Sequence, residues 1–227
     1  MKKHSLPLTA ILAVTAMFIQ TASAQSSLPS LPAATKADME EVYTTAIENR
    51  TADILKLLNV TDPAKSNVVH DIIIAQYRTL RVRDEAIDAK LKADGKEVNY
   101  TNRADQLLVQ SKPLHEQFLA KLAVILTPEQ IDKVKNQMTY NKVSVTFDAY
   151  CAIVSGLTDA DKEKILELLK AAREEAIDGG NAPEKSAIFQ KYKEQINRYL
   201  DAQGHDTAKA FKDWESKNSA AGTAPAK

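Results

Sequence analysis

The stretch LTPEQIDKVKNQM, Leu126–Met138, decides the fold class. Thr127 suits a helix N-cap, Pro128 falls at the first helical position where its missing N–H costs nothing, and Gln130 stands three residues after the cap. Those residues form a capping box, with Leu126 and Ile131 spaced as the accompanying hydrophobic staple. LTDADKEKILELL, Leu157–Leu169, repeats the plan with Thr158 as cap and Asp161 three later, and VTDPAK, Val60–Lys65, is a looser third copy. Three apolar-Thr starts in one chain are helix initiation signals.

Worked outward from these starts, the chain is helices separated by polar punctuation. Thr35 can cap a first helix carrying Met39, Val42, Ala46, Ile47, Ile54, Leu57 and Leu58 at helical spacing. Asp62-Pro63 opens a second, and ADGKEVNYTN (Ala93–Asn102) is the clearest loop. A third pattern contains Pro113, which should kink or split it near Lys112. NKVSVTFDAY, Asn141–Tyr150, alternates like a strand but has no strand partner, so it reads as a continued helix or an extended connector. Asp159 to about Asp178 is the fifth pattern, ending at Gly179-Gly180 as if at a left-handed C-cap. Asn181 and Glu184 open a sixth with Ile188, Phe189, Tyr192, Ile196, Tyr199 and Leu200 in a stripe, and Thr207 caps a short last helix. The expectation is all-α: one helical domain, residues 35–217, of about six to seven helices with a long antiparallel hairpin. Flexible ends flank it at 25–34 and 218–227.

Lys2 and Lys3, an apolar run from Leu6 to Ile19 and the small-residue triplet Ala22-Ser23-Ala24 predict a bacterial signal peptide over residues 1–24. The run is too short to span a bilayer, so the expected product is exported, periplasmic or secreted, without a membrane span. Beyond residue 24, 28 basic side chains (30 less Lys2 and Lys3) face 30 acidic ones, a net charge of −2 with no footprint for nucleic acid. Cys151 is the sole cysteine and is expected to be a buried, inert thiol. No phosphate-cradling glycine loop and no serine-hydrolase elbow is present. His70, His115 and His205 have no second histidine one turn away, so no metal site and no cofactor is implied.

The anomaly is AREEAIDGG, Ala172–Gly180. Glu174, Glu175 and Asp178 crowd a helix C-terminus, where the macrodipole favours cations. Arg173 lies between Leu169 and Ile177 on the side expected to be buried and requires a carboxylate partner there. Two readings stay open. One is a structural ion-pair network joining the fifth and sixth helices, through Lys185. The other is a polar, aromatic-rimmed binding pocket at Arg173, Glu174, Asp178, Lys185, Tyr192 and Asn197. Phe189, Tyr192 and Tyr199 read as core packing in preference to a stacking platform, and Arg78, Arg81 and Arg83 as a solvated face.

The segment Leu157–Asp206 resembles DUF3826, a family of secreted bacterial helical proteins of unknown function. The resemblance lies in the LT helix start, ARE-x-A-x-D-x-G over Ala172–Gly180, Glu184-Lys185, Phe189, Tyr192-Lys193, Ile196-Asn197, Tyr199-Leu200 and Gly204. It implies an exported helical domain deployed beside extracellular polysaccharide breakdown, with no catalytic residues to carry over. A weaker resemblance, resting on Leu126 to Gln130, is to LTxxQ-type periplasmic chaperone and stress proteins. The leading expectation is therefore a non-catalytic binding or accessory module with an oligosaccharide or protein partner. The alternatives are a chaperone, or an enzyme acting on polysaccharide through paired carboxylates.

Overall fold

A computed structural model of the chain describes residues 35–220. The expected signal peptide, the segment 25–34 and residues 221–227 of the expected tail lie outside the described residues. The described residues contain no strand and form eight helices: α1 (Lys36–Leu58), α2 (Pro63–Ala93), α3 (Tyr100–Ala123), α4 (Pro128–Met138), α5 (Lys142–Ile153), α6 (Asp159–Ala176), α7 (Ala182–Ala202) and α8 (Thr207–Ala220). The helical part extends past the expected limit at Lys217. None of these helices is long and apolar enough to cross a membrane.

The capping signals translate into bonds. Thr35, Thr127 and Thr158 each accept the backbone N–H three residues on, while Asp38, Gln130 and Asp161 reach back to the cap N–H. Gln130 also donates through Nε2 to the Leu58 carbonyl at 3.3 Å, tying the α4 start to the end of α1. The pentapeptide LTPEQ is thus occupied in capping and in this tie. Thr127→Ala should cost about 1 kcal/mol, roughly 2–4 °C in melting temperature for a domain of this size; a melt unchanged within half a degree would show the cap to be dispensable.

Two hydrophobic clusters organise the bundle. Ile54 and Leu58 of α1, Val69 and Ile73 of α2, Phe118 and Leu122 of α3, and Val134 and Met138 of α4 enclose the first. The second gathers Val143, Tyr150 and Val154 with Ile165, Leu169, Ala172 and Ala176 of α6 and Ile188, Phe189, Ile196 and Leu200 of α7. Ile177, just past α6, belongs to the first cluster, although its neighbour Ala176 belongs to the second. The α6–α7 connection is therefore where the two halves meet.

Several expectations need correction. The described residues count eight helices because Lys142–Tyr150 falls within a separate helix, α5. Tyr140 (φ 57°) and Asn141 (φ 52°) both adopt the left-handed conformation, which turns the chain between α4 and α5. α5 then buries Val143, Thr146 and Tyr150 on one face. Cys151, next to Tyr150, is exposed, contrary to the buried thiol expected. Pro113 does not split α3; the carbonyl it leaves without a donor, four residues back, is that of Val109, whose surroundings are open to water. α6 stops at Ala176, and Gly179 and Gly180 are not left-handed. Glycine at 180 serves close approach: a Cβ there would lie 1.5 Å from Asp84 Oδ2. Finally, Asp206 caps α8 by accepting the Lys209 N–H, while Thr207 donates to Asp201.

Candidate functional site

The carboxylate-rich α6 terminus is neutralised from every side. Arg173, only 5 % exposed, donates to Asp132 Oδ1 (2.9 Å) and Asn136 Oδ1 (2.8 Å) on α4, and to Glu174 Oε1 (2.9 Å). Glu174 Oε2 also accepts from Lys135 Nζ at 2.8 Å. Asp178 faces the first half, where its carboxylate meets His115 Nδ1 (2.9 Å) and Gln76 Nε2 (3.3 Å), and its carbonyl accepts from Arg83 Nη2 (2.7 Å). Lys185 on α7 is buried and donates to the carbonyls of Ala176 and Ile177, both at 3.0 Å. A cation therefore sits on the negative end of the α6 dipole, supplied by the next helix.

A second buried cluster flanks the first. Asp84 lies 2.7 Å from Arg83 and 3.1 Å from Arg103. Arg103, on α3, also meets Asp88 (3.3 Å) and Glu184 (3.1 Å). Glu184 in turn accepts the Gly180 N–H through its other oxygen, at 2.9 Å. Arg83 was expected on a solvated face; it is 5 % exposed, in register with Gln76, Leu80 and Ile87 on the buried stripe of α2. Arg78 and Arg81 do pair with Glu40 at the surface.

The six residues put forward as a binding set are not brought to one pocket. Arg173, Glu174 and Asp178 share the ion-pair network, and Lys185 caps α6 behind them. Tyr192 donates to Glu175 at 3.1 Å, and Asn197 accepts from Tyr150 Oη at 2.6 Å across the second core. Of the six, only Lys185 lines a cavity described below.

That cavity lies on the other side of the α6–α7 turn and holds about 220 Å³. Tyr43, Arg50 and Asp53 of α1, Tyr77 of α2, Tyr140 and Asn141 of the α4–α5 turn, and Gly179, Gly180 and Lys185 contribute to its wall. Two contacts set the Tyr43 ring: Arg81 lies 4.2 Å over its centroid, and its hydroxyl donates to the Tyr77 carbonyl at 2.8 Å. Burial pushes the Tyr77 phenol up to about 12, so it stays a neutral hydrogen-bonding group. Burial also draws the Lys185 ammonium down to about 8; Asp178 and Glu184 oppose the change, and Arg50 and Arg83 add to it. A shallower groove of about 450 Å³ continues from the cavity over Met39, Val42, Ala46 and Ala182, sharing Tyr43, Arg50, Tyr140 and Gly180 with it. Tyr140 stands at this junction, 42 % exposed, in a backbone conformation that a non-glycine residue adopts at a cost of about 1–3 kcal/mol.

The family-model comparison matches residues 44–220 to DUF3826, described as a protein family of unknown function. The chain belongs to DUF3826. No curated protein matches it. In this DUF3826 chain, six of the residues that carried the resemblance are spent at the junction. Arg173, Glu174, Asp178, Gly180, Glu184 and Lys185 each make a contact that joins α6 or α7 to another element or closes their turn. Among the described residues, no group of three or more His, Cys, Asp or Glu side chains is gathered to hold a metal ion.

His115 carries a pH consequence. The hydrogen bond to Asp178 raises its pKa, burial opposes this, and the nearby Asp178 and Glu174 charges add to the rise while Lys135 reduces it. With the folded value above the unfolded one, the contribution to stability is complete below about pH 6.5. It is lost as pH rises through the folded value. His115→Gln should therefore flatten the stability profile above about pH 6.5, read as urea midpoints. An unchanged slope would remove His115 as its source.

Proposed function

We propose that the protein is an exported, non-catalytic binding module that accepts a sugar unit of an oligosaccharide in the Tyr43–Tyr77–Tyr140 cavity, with the following units along the Met39–Val42 groove. The observation that carries this is Tyr140: a large, half-exposed ring held at φ 57° on the rim of this polar recess, where stability alone would favour glycine. Aromatic planes beside Arg50, Asp53, Gln137 and Asn141 combine stacking surface with planar hydrogen-bonding groups, the mixture a polyhydroxylated ring requires. The leader-like residues 1–24 support export. Binding is preferred to hydrolysis because the cavity wall carries one carboxylate, Asp53, whereas glycoside hydrolysis uses two carboxyl groups roughly 5–10 Å apart across the bond.

The test is a thermal melt of the purified protein against a panel of oligosaccharides. A ligand at a hundred times its dissociation constant adds ~2.7 kcal/mol, roughly 5–11 °C for a domain of this size. Tyr140→Gly then separates function from stability. It removes the left-handed strain at the cost of glycine's extra unfolded-state freedom, about 0.5–1 kcal/mol, so the free protein should melt within a few degrees of wild type. The ligand-induced shift should disappear. A panel without a shift, or a shift that survives Tyr140→Gly, overturns the reading.

A further inference from the structure

Charge around the cavity is unevenly settled. The buried carboxylates on its far side are committed: Asp178 to His115 and Gln76, Glu184 to Arg103 and the Gly180 N–H, and Asp84 to Arg83 and Arg103. Lys185 is engaged by two carbonyls. Arg50 differs from every other cation near the site. Its side chain makes no ion pair and no hydrogen bond among the described residues, although it lines both the cavity and the groove. Asp53, one turn along α1, is the lone carboxylate of the cavity wall and is not within ion-pair distance of it, and Asp38 in the groove wall is bonded to Thr35.

We infer that the cavity is selective for an acidic sugar, with Arg50 receiving the carboxylate of a hexuronate unit while Tyr43, Tyr77 and Tyr140 contact its ring. The inference rests on the binding reading above and sharpens its ligand class. A guanidinium offers a planar fork of donors that a carboxylate fills with two parallel hydrogen bonds, and a neutral hydroxymethyl group cannot. Lys185, part of the wall but with its ammonium held by two carbonyls, adds positive potential of the same sign without taking the contact. The exposure of Arg50 in the free protein keeps the fork solvated until a ligand arrives, so the unoccupied site carries no buried unpaired charge.

The decisive experiment compares matched ligands by calorimetric titration: hexuronate trisaccharides of the gluco, galacto and manno series, each as the free acid and as its methyl ester. At least one acid should bind about tenfold or more tightly than its ester, a charge-assisted pair being stronger than a neutral one. Its advantage should shrink as salt rises from 20 to 500 mM, because an exposed pair is screened. Arg50→Gln should bring acid and ester together while leaving the affinity for the ester near the wild-type value. Arg50 has no partner to lose among the described residues, so this variant should melt as wild type does. If the esters bind as well as the acids, or Arg50→Gln keeps the acid preference, the charge assignment is overturned and the sugar-binding reading stands. If neither form of any series binds while other oligosaccharides still raise the melting temperature, the uronate class alone fails. Silence across both panels overturns both readings.

Discussion

Arg103→Met is expected to lower stability by about 3–5 kcal/mol, the usual consequence of deleting one member of a buried ion cluster. That corresponds to roughly 6–20 °C in melting temperature for a domain this size. The reason lies in what is left behind. Glu184 is only 4 % exposed and keeps the Gly180 N–H as its other partner, Asp84 retains Arg83, and Asp88 keeps no cation in the cluster. Arg103 Nε and Nη2 already approach Glu184 and Asp84 without well-aligned hydrogen bonds, so charge proximity is what holds this corner. The loss is read as the change in unfolding free energy by urea titration, and one under about 1 kcal/mol would show the cluster to be solvated in practice. Arg173→Met makes a useful contrast: its partners Asp132 and Glu174 retain substantial solvent exposure, and the same deletion there should cost clearly less.

Ile177→Ala should cost about 2–5 kcal/mol, the range for truncating a buried isoleucine that leaves a cavity. Ile177 is fully buried and is the one contribution of the α6 end to the first core, placed beside an alanine that faces the second. Beyond the loss of area, the side chain anchors the end of α6 in the first cluster, beside the polar contacts and the packing of Tyr100 of α3 against the second. Hydrogen exchange of the variant should therefore rise more in α6 and α7 than in α2 and α3. A uniform rise across both halves would mean that the domain opens as one unit whatever happens at this plug.

Much of this was written in local signals. The caps at Thr35, Thr127 and Thr158 and the apolar periodicity of α1, α2 and α7 need only a few neighbouring residues to act, so they read directly from the chain. Arg173 was legible for a related reason: a cation on an apolar stripe must be paired. The same argument applied to Arg83, between Leu80 and Ile87, and its grouping with Arg78 and Arg81 as one basic face concealed it. What stayed hidden depends on packing between distant segments. No local pattern tells that Gly180 is small for the sake of Asp84, about a hundred residues earlier, or that Lys185 rather than a left-handed glycine closes α6. The cavity was missed because its tyrosines come from three separate elements, each at ordinary spacing. Tyr140 offered half a signal, since the following Asn141 tolerates a left-handed backbone, but Tyr140 itself does not advertise one.

The position of the charged seam matters for how the cleft can change shape. One wall comes from α1 and α2 and the opposite wall from the α6–α7 turn, so the gap between them is a distance between the two halves. An oily contact would let those halves slide, since apolar surfaces are indifferent to small offsets. Directional and charge-paired contacts are not: a shift of an ångström or two breaks the Arg83 hydrogen bond to the Asp178 carbonyl and separates Arg103 from Glu184. The jaws of this cleft are therefore gauged by contacts on its far side. An adjustment of the gap in a related chain needs no change in any residue that lines the cleft, only an arginine shortened to lysine at the seam.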